Sequence, residues 1–521
     1  MAQKIIDENL KKQLTEVFKK IDGETKLIYD NSSHEKFEDL KLFLEDIAST
    51  SDFLVARSSG QENPLPFFKL VFADHDPQVS FLGIPGGHEL SSLVIALLNG
   101  NGQGKLPDAG IMGRIRNLKG PGLIKTFISL SCENCPDVVQ ALNVIALNNP
   151  MIGHQMVDGE FVQEELERLK IKGVPTVVSE DAILSVGKTN LGEALAQLED
   201  HFGKKEESGE AVDLGKFDVA VVGAGPAGVA SAIYTARKGL KTAIITDRMG
   251  GQLQDTKGIE NFTSVSYTEG PQLSNSLHQH MKDYDIQVFE NRRVATISDG
   301  DRKNIVLTSG EKMDSRSIIV STGAKWRELG VPGEKNYLGR GVAFCPHCDG
   351  PMYKGKDIAV IGGGNSGVEA AIDLSGIVKS VVLIEYGESL KADQVLVEKL
   401  KSIPNAKIVL SAQTTEVQGD GEIVTGLQYK DRNSGELSEI SLSGVFVQIG
   451  LVPNSQFIKD IVETNDYGEI IVDDKCRTKS SGVYAAGDVT NVPYKQIVVA
   501  MGEGAKAGLS AAEDLMLASN S

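Results

Sequence analysis

Two glycine-bearing stretches do most to limit what this chain can become. "FDVAVVGAGPAGVASAIYTARKG" begins at residue 217 and "KDIAVIGGGNSGVEAAIDLSG" at 356, and each reads as apolar strand, GxGxxG turn, Ala-rich helix. One such motif is weak evidence, but two in the same setting predict two Rossmann-type α/β domains. The three glycines of such a turn permit a tight bend, close approach to a pyrophosphate and close packing of helix on strand. They are Gly223, Gly225 and Gly228 in the first turn and Gly362, Gly364 and Gly367 in the second. The strands that follow end at Asp247 and Glu385, where a carboxylate can accept from a ribose hydroxyl. At Glu385 the carboxylate would also repel a 2′-phosphate, and the next residues, "YGESLKA", hold no arginine to bind one. The second domain is therefore expected to take NADH. The competing reading of Glu385 is a surface acid at a strand end.

Two CxxC pairs are the candidate reactive centres: Cys345 and Cys348 in "AFCPHCDGP", and Cys132 and Cys135 in "SCENC". A zinc ribbon closes on a second pair about 15–20 residues away. Here the pairs fall in different predicted domains and no HxxxH companion is present, so no metal is expected. A dithiol at a helix mouth can instead close a disulfide, with its thiolate favoured by the helix N-terminus. Beside nucleotide domains this reads as redox chemistry. Cys476 in "DDKCRTKS" has no partner in the pattern and reads as an ordinary residue.

The 521 residues allow three or four domains, and a formal charge of −18 argues against nucleic acid or an anionic membrane surface. The most apolar long stretch, 217–236, contains Asp218 and Pro226 and reads as strand, turn and helix rather than a membrane span. Without a secretory leader or a disulfide framework, the cytoplasm is the default compartment. The polar stretch "GKKEESGEAVDLGK" (203–216) reads as a linker. Before it, residues 121–202 run βαβαββα with CxxC at the first helix, the thioredoxin plan, and Pro175 stands where that plan has its cis-proline. Residues 1–120 have a similar element order with "DNSSHEK" in place of the dithiol, a silent copy of the same fold. Beyond the linker the expected parts are 217–328, 329–448 carrying its own CxxC, and 449–521.

From about residue 215 onward the chain resembles low-molecular-weight thioredoxin reductases. With its tandem thioredoxin-like extension the whole of it resembles the flavoprotein subunits of bacterial alkyl hydroperoxide reductase. "CPHCDGP", "SLSCENCPDVVQALN" and "GGGNSGVEAAIDL" carry the likeness. The resemblance implies that 217–328 and 449–521 form one FAD domain around an inserted NAD domain. "GGQL" with Gln252, "STGA" with Thr322, "GVYAAGDVTN" with Asp488 and "PYKQIVVAMGEGAKA" with Gln496 would face FAD. It implies that Cys348 faces the flavin, that Cys345 is the interchange thiol, and that Asp349 is a candidate acid, a turn or cap role being the equal alternative. Electrons would pass to Cys132 and Cys135, with Cys132 attacking a peroxiredoxin disulfide and Cys135 resolving. Glu89 and His88 in "GGHELSS" read as helix-start residues, the lesser alternative being a part in tuning Cys132. A homodimer follows from the family. The other function classes are an NADH oxidase, a thioredoxin reductase, and a nucleotide-binding redox sensor.

Overall fold

A computed structural model of the chain describes residues 6–73, 75–132, 134–171, 173–205, 212–256, 258–298 and 300–518; the side chains of His347 and Cys348 also lie outside this description. Two compact units result, Met1–Val212 (with Ser309–Glu311) and the remainder, Asp213–Thr308 with Lys312–Ser521. The centre of the stretch read as a linker, 206–211, lies outside the described residues.

In the first unit the strands are β1 (Thr25–Asn31), β2 (Leu54–Glu62), β3 (Phe67–Phe72), β4 (Val79–Leu82), β5 (Gly122–Ile128), β6 (Ile152–Asp158), β7 (Thr176–Ser179) and β8 (Ala182–Val186). Among the described residues these eight form one sheet in the order β2-β1-β3-β4-β6-β5-β7-β8. The order is a repeat: β2-β1-β3-β4 and β6-β5-β7-β8 have the same sequence of parallel and antiparallel pairings. Even the open ends of the two hairpins match, since Gly83 N–H donates to the Pro66 carbonyl and Gly187 N–H to that of Pro175, each at 2.8 Å. The sheet crosses the boundary expected at residue 120, because β4 and β6 pair in parallel, Val79 opposite His154 through Leu82 opposite Val157. One apolar core follows the seam and holds Leu27, Phe68 and Phe81 of the first copy with Cys135, Val139 and Met156 of the second.

Local chemistry sets the helices between these strands. The Leu191–Phe202 helix begins on a reciprocal capping box between Asn190 and Glu193. The Cys135–Asn148 helix has proline in its first turn, where the missing N–H costs nothing. Beneath the sheet His154 is fully buried, its Nδ1 2.7 Å from Asn143 Oδ1 and its Nε2 2.8 Å from Thr126 Oγ1.

The second unit contains two sheet-based α/β domains, the first with a mixed sheet and the second with a parallel one. In one, β9 (Asp213–Val222), β10 (Thr242–Ile245), β11 (Ile286–Phe289), β12 (Val294–Ser298), β13 (Lys303–Leu307) and β14 (Lys312–Val320) run β11-β10-β9-β14-β13-β12, and Val483–Ala485 adds to β14 from far along the chain. There β12 with β13 and β13 with β14 are antiparallel, and the other neighbours are parallel. The inner strands "VAVV" and "TAII" are buried on both faces, which is why they read as unbroken apolar runs. In the other domain Val342–Ala343, Gly444–Val447, Asp357–Ile361, Ser380–Ile384 and Ala406–Val409 are parallel neighbours in that order. The chain passes between the domains through Ala324–Trp326 and returns through Leu451–Pro453, and the two segments pair antiparallel.

Candidate functional site: two nucleotide turns and two dithiols

The two GxGxxG turns have nearly the same geometry. Gly223 and Gly362 have φ of +106° and +119°, and a Cβ on either would lie 2.3 Å from a neighbouring carbonyl oxygen. A Cβ on Gly228 or Gly367 would lie 1.9 Å from the carbonyl oxygen of the first glycine of its own turn. The chain itself thus demands the outer glycines. The central ones differ, because a Cβ on Gly225 or Gly364 would meet no described atom within 4 Å. Folding gives no steric reason for glycine there; a group lying against the turn does. The Pro226–Ala236 and Asn365–Ser375 helices start at these points, so N–H groups and the positive helix end face that space. Both turns therefore fit a dinucleotide pyrophosphate.

Segments distant in sequence gather at the first turn. A Cβ on Gly251 would come within 3.3 Å of Gly225 Cα, and one on Gly487 within 3.0 Å of Ala227 Cβ. Ser321 Oγ donates to the Val222 carbonyl at 3.1 Å. Gln252, Thr322 and Asp488 thus ride on segments that meet this turn. Gln252 Nε2 donates to the Ala324 carbonyl, and Thr322 Oγ1 donates to the Asn454 carbonyl at 2.7 Å while Asn454 Nδ2 returns a bond to Thr322 at 2.8 Å. Gln496 Oε1 accepts from Asn261 at 3.1 Å. Asp488 is half-buried and held above the usual carboxylate range by desolvation, with Lys495 opposing and Glu503 adding to the shift. Asp247 lies just beyond β10, which ends at Ile245 rather than at the acid, and pairs with Arg293, whose Nε lies 3.0 Å from its carboxylate.

At the second turn Glu385 Oε2 accepts from Gly363 N–H at 2.6 Å and Oε1 from Gly387 N–H at 2.7 Å. This acid organises the turn beside which a ribose would lie. Sequence reasoning found no arginine after Glu385, yet folding supplies one. Arg432 stacks 3.9 Å from the Tyr386 ring centroid and donates to the Tyr386 carbonyl at 2.8 Å. The residue sits in a hairpin of the neighbouring three-stranded sheet, so no local pattern announces it.

Cys345 is disulfide-bonded, and the Pro346–Asp349 turn of helix follows it. That turn packs on the second dinucleotide helix, where a Cβ on Gly350 would lie 2.8 Å from Leu374. Cys348 is in this helix, its side chain outside the described residues. Asp349 N–H donates to the Cys345 carbonyl at 3.0 Å, and burial pushes the Asp349 carboxyl up to about 6.

In the first unit Cys132 and Cys135 are both thiols. Cys132 is partly exposed, with Sγ 3.8 Å from the Val174 carbonyl beside the cis Val174–Pro175 bond, whereas Cys135 is fully buried at the helix start. A hydrogen bond to Cys132, then burial, push the Cys135 thiol far up. Ionisation is therefore disfavoured at Cys135, and the partly exposed Cys132 is the more accessible sulfur of the pair. Glu89 lies behind the pair, fully buried, with both carboxylate oxygens lacking a hydrogen-bond partner among the described residues. Burial raises it to about 7; the nearby Ser92 hydroxyl offsets part of this, and Cys132 adds to it. Sequence placed Glu89 at a helix start, and it does end the short 3₁₀ turn there; its burial beside sulfur only the fold reveals.

A family model described as pyridine nucleotide-disulphide oxidoreductase matches residues 217–504. The alkyl hydroperoxide reductase F subunit of Escherichia coli (strain K12) is 46% identical over 520 residues, covering 98% of this chain and 99% of that one. The protein of the same name in Pseudomonas aeruginosa is 45% identical over 516 residues, with 98% and 99% covered. The chain belongs to the family of alkyl hydroperoxide reductase F subunits. A Bacillus subtilis relative of the same span, 44% identical over 512 residues with 98% of this chain and 99% of that one covered, is named NADH dehydrogenase. Among solved structures, thioredoxin reductase from Streptococcus pyogenes is 33% identical with a TM-score of 0.55, covering 58% of this chain and 98% of its own. That from Giardia duodenalis is 30% identical with a TM-score of 0.56, covering 58% and 99%. The thioredoxin reductases thus account for part of the chain, and the alkyl hydroperoxide reductase relatives for nearly all of it. As a member of that family the protein is an NADH-dependent FAD disulfide oxidoreductase. Among the described residues no helix is long and apolar enough to cross a membrane.

Proposed function

We propose that this enzyme passes electrons from NADH to Cys345, from there to Cys132 and Cys135, and finally to the disulfide of a peroxiredoxin that reduces hydrogen peroxide and alkyl hydroperoxides. The asymmetry of the 132–135 pair carries this reading: an accessible sulfur at the helix mouth backed by a fully buried thiol. The first turn, with Gln252, Thr322, Asp488 and Gln496, would hold FAD, which when bound would supply a two-electron relay between a nicotinamide hydride and a disulfide. NADH would lie along the second turn with its ribose at Glu385. Asp349, kept protonated to about pH 6 by burial, can give a proton to the sulfur that leaves when the Cys345 disulfide opens.

Thiol exchange completes the route. Cys345 as thiolate attacks the oxidised 132–135 pair, and its own ring re-forms with Cys348, leaving two reduced sulfurs on the first unit. Cys132 as thiolate then attacks the peroxiredoxin disulfide and expels one partner thiolate. Cys135 loses its proton, attacks Cys132 and expels the second. Two electrons leave the chain, and the 132–135 disulfide returns. Such exchange requires sulfur-to-sulfur contact, so the two units must meet during turnover. Family membership also supports a homodimer, and a chain without a disulfide framework supports a cytoplasmic setting.

The test is NADH consumption by the full chain with oxidised peroxiredoxin and a hydroperoxide. Cys132→Ser should abolish peroxide-dependent turnover while NADH still bleaches the flavin. Peroxide-dependent turnover near wild-type rate in that variant would leave direct flavin chemistry as the better account.

A further inference from the structure

Glu503 lies within the helix Ile497–Ala518, in "MGEGAKAGLSAA", an otherwise small and apolar stretch. It is buried, at 9% exposure. Its Oε2 accepts from the backbone N–H of Gly487 at 3.0 Å and lies 3.4 Å from Thr490 Oγ1, whose hydroxyl also donates to the Gly487 carbonyl at 2.8 Å. These contacts bracket Asp488. On the far side Lys495 donates to the Thr490 carbonyl at 2.6 Å and pairs with Glu469 at 2.9 Å, closing the loop from its other end.

The same helix is tied to the first dinucleotide turn. A Cβ on Gly504 would lie 2.1 Å from the Ala227 carbonyl oxygen, and one on Gly508 2.9 Å from that of Ser231. Ser231 Oγ donates to the Gly504 carbonyl at 3.0 Å. The helix carrying Glu503 therefore sits as near to the helix of the glycine turn as glycine allows. Gly487 itself abuts Ala227. Glu503 joins these parts: it stands on the helix locked to the turn and grips the loop that bears Asp488.

We propose that Glu503 is a positioning residue for FAD, fixing the Asp488 loop against the pyrophosphate turn. This rests on the reading of that loop as part of the flavin site. A carboxylate suits the task because a charged acceptor holds a backbone N–H more strongly than a neutral one. Its burial also keeps water from competing for Gly487. Removing it frees the loop without touching any flavin-facing group.

The experiment compares Glu503→Ala, Glu503→Gln, Thr490→Val and Asp488→Ala in the full chain. It measures FAD dissociation by the return of flavin fluorescence, the rise in melting temperature on adding FAD to stripped protein, and the flavin midpoint potential. Glu503→Ala should weaken FAD about tenfold to a hundredfold and shrink the FAD-dependent rise in melting temperature, while stripped protein melts near wild type. Glu503→Gln, which keeps an acceptor oxygen, should recover most of the affinity, and Thr490→Val should lose less than Glu503→Ala. The KM for NADH should stay within about twofold, because the second turn is untouched. If Asp488→Ala releases FAD but Glu503→Ala does not, the positioning role is wrong and the loop assignment stands. Should neither release it, the loop is not part of the flavin site and both fall. Should Glu503→Ala fail to fold, equal FAD retention in Thr490→Val, Glu503→Gln and wild type, with no change in potential, would overturn the proposal.

Discussion

Glu385 accepts a 2.6 Å hydrogen bond from the backbone N–H of Gly363, so the acid proposed to meet the ribose also shapes the turn proposed to receive the pyrophosphate. Neutralising it cannot be a pure change of specificity. Glu385→Gln should weaken NADH through the looser turn and the lost ribose contact, and lower the NADH-to-NADPH ratio of kcat/KM by about tenfold. Arg432, stacked on Tyr386 next to Glu385, is then a candidate cation for a 2′-phosphate. Adding Arg432→Gln should cancel the gain for NADPH. A ratio unchanged in both variants would detach Glu385 and Arg432 from coenzyme choice.

Cys345→Ser should separate electron entry from exit. Anaerobic stopped flow should show NADH bleaching the flavin at near wild-type speed, whereas turnover with peroxiredoxin should fall by more than about a hundredfold, because no second route leads by thiol exchange to Cys132. Substantial residual turnover would point to electrons leaving the flavin directly.

Asp349 offers a pH signature. With burial raising it to about 6, it carries its proton below that pH and loses it above. The rate of dithiol formation at Cys345 should fall as pH rises through that value. Asp349→Asn should remove this inflection and slow the step by about 10²-fold or more, the usual scale for a lost general acid. An unchanged pH profile in the variant would leave Asp349 as a turn residue.

The first unit should be squeezed by pH from two directions. Glu89 rises from 4.5 to about 7 in the folded state, so the favourable proton it holds is fully present below 4.5 and lost as pH climbs to 7. His154 falls from 6.5 to about 3, so its neutral, hydrogen-bonded form stabilises fully above 6.5, and that stability is lost as pH drops toward 3. Glu89→Gln should therefore raise urea stability at pH 8, on the order of 3 kcal/mol at most, and change little at pH 4. Equal gains at both values would refute a titrating Glu89.

Much of this architecture was readable because its determinants are local. The turn of Gly223, Gly225 and Gly228 announces itself by a spacing of a few residues between a strand and a helix, and the CxxC of 132–135 by the helix it opens. The order βαβαββα over 121–202 followed from alternating apolar patterns. What escaped is contact between residues remote in sequence. Arg432 reaches Tyr386 only because a hairpin folds back, and Arg293 reaches Asp247 by a similar return. Glu503 left a faint trace, an acid between glycines in a small-residue helix, but its partners Gly487 and Thr490 emerge only once that helix packs. The continuous sheet through residue 120 was hidden for the same reason. Nothing in β4 or β6 alone says that they pair.

That pairing gives the copy without cysteines a purpose that chemistry does not. In a fragment holding only the second copy, β6 would be left as a bare rim, its outer N–H and C=O groups and the apolar side chains of "IGHQMVD" open to any passing strand. The first copy fills that rim with β4 and adds β3 and β1 before the sheet reaches β2, a strand that is mostly exposed and carries Arg57, Ser58, Ser59 and Gln61. The copy without cysteines thus moves the sheet's open margin from β6 to a polar strand four places away, where a bare edge is less prone to pair with another chain.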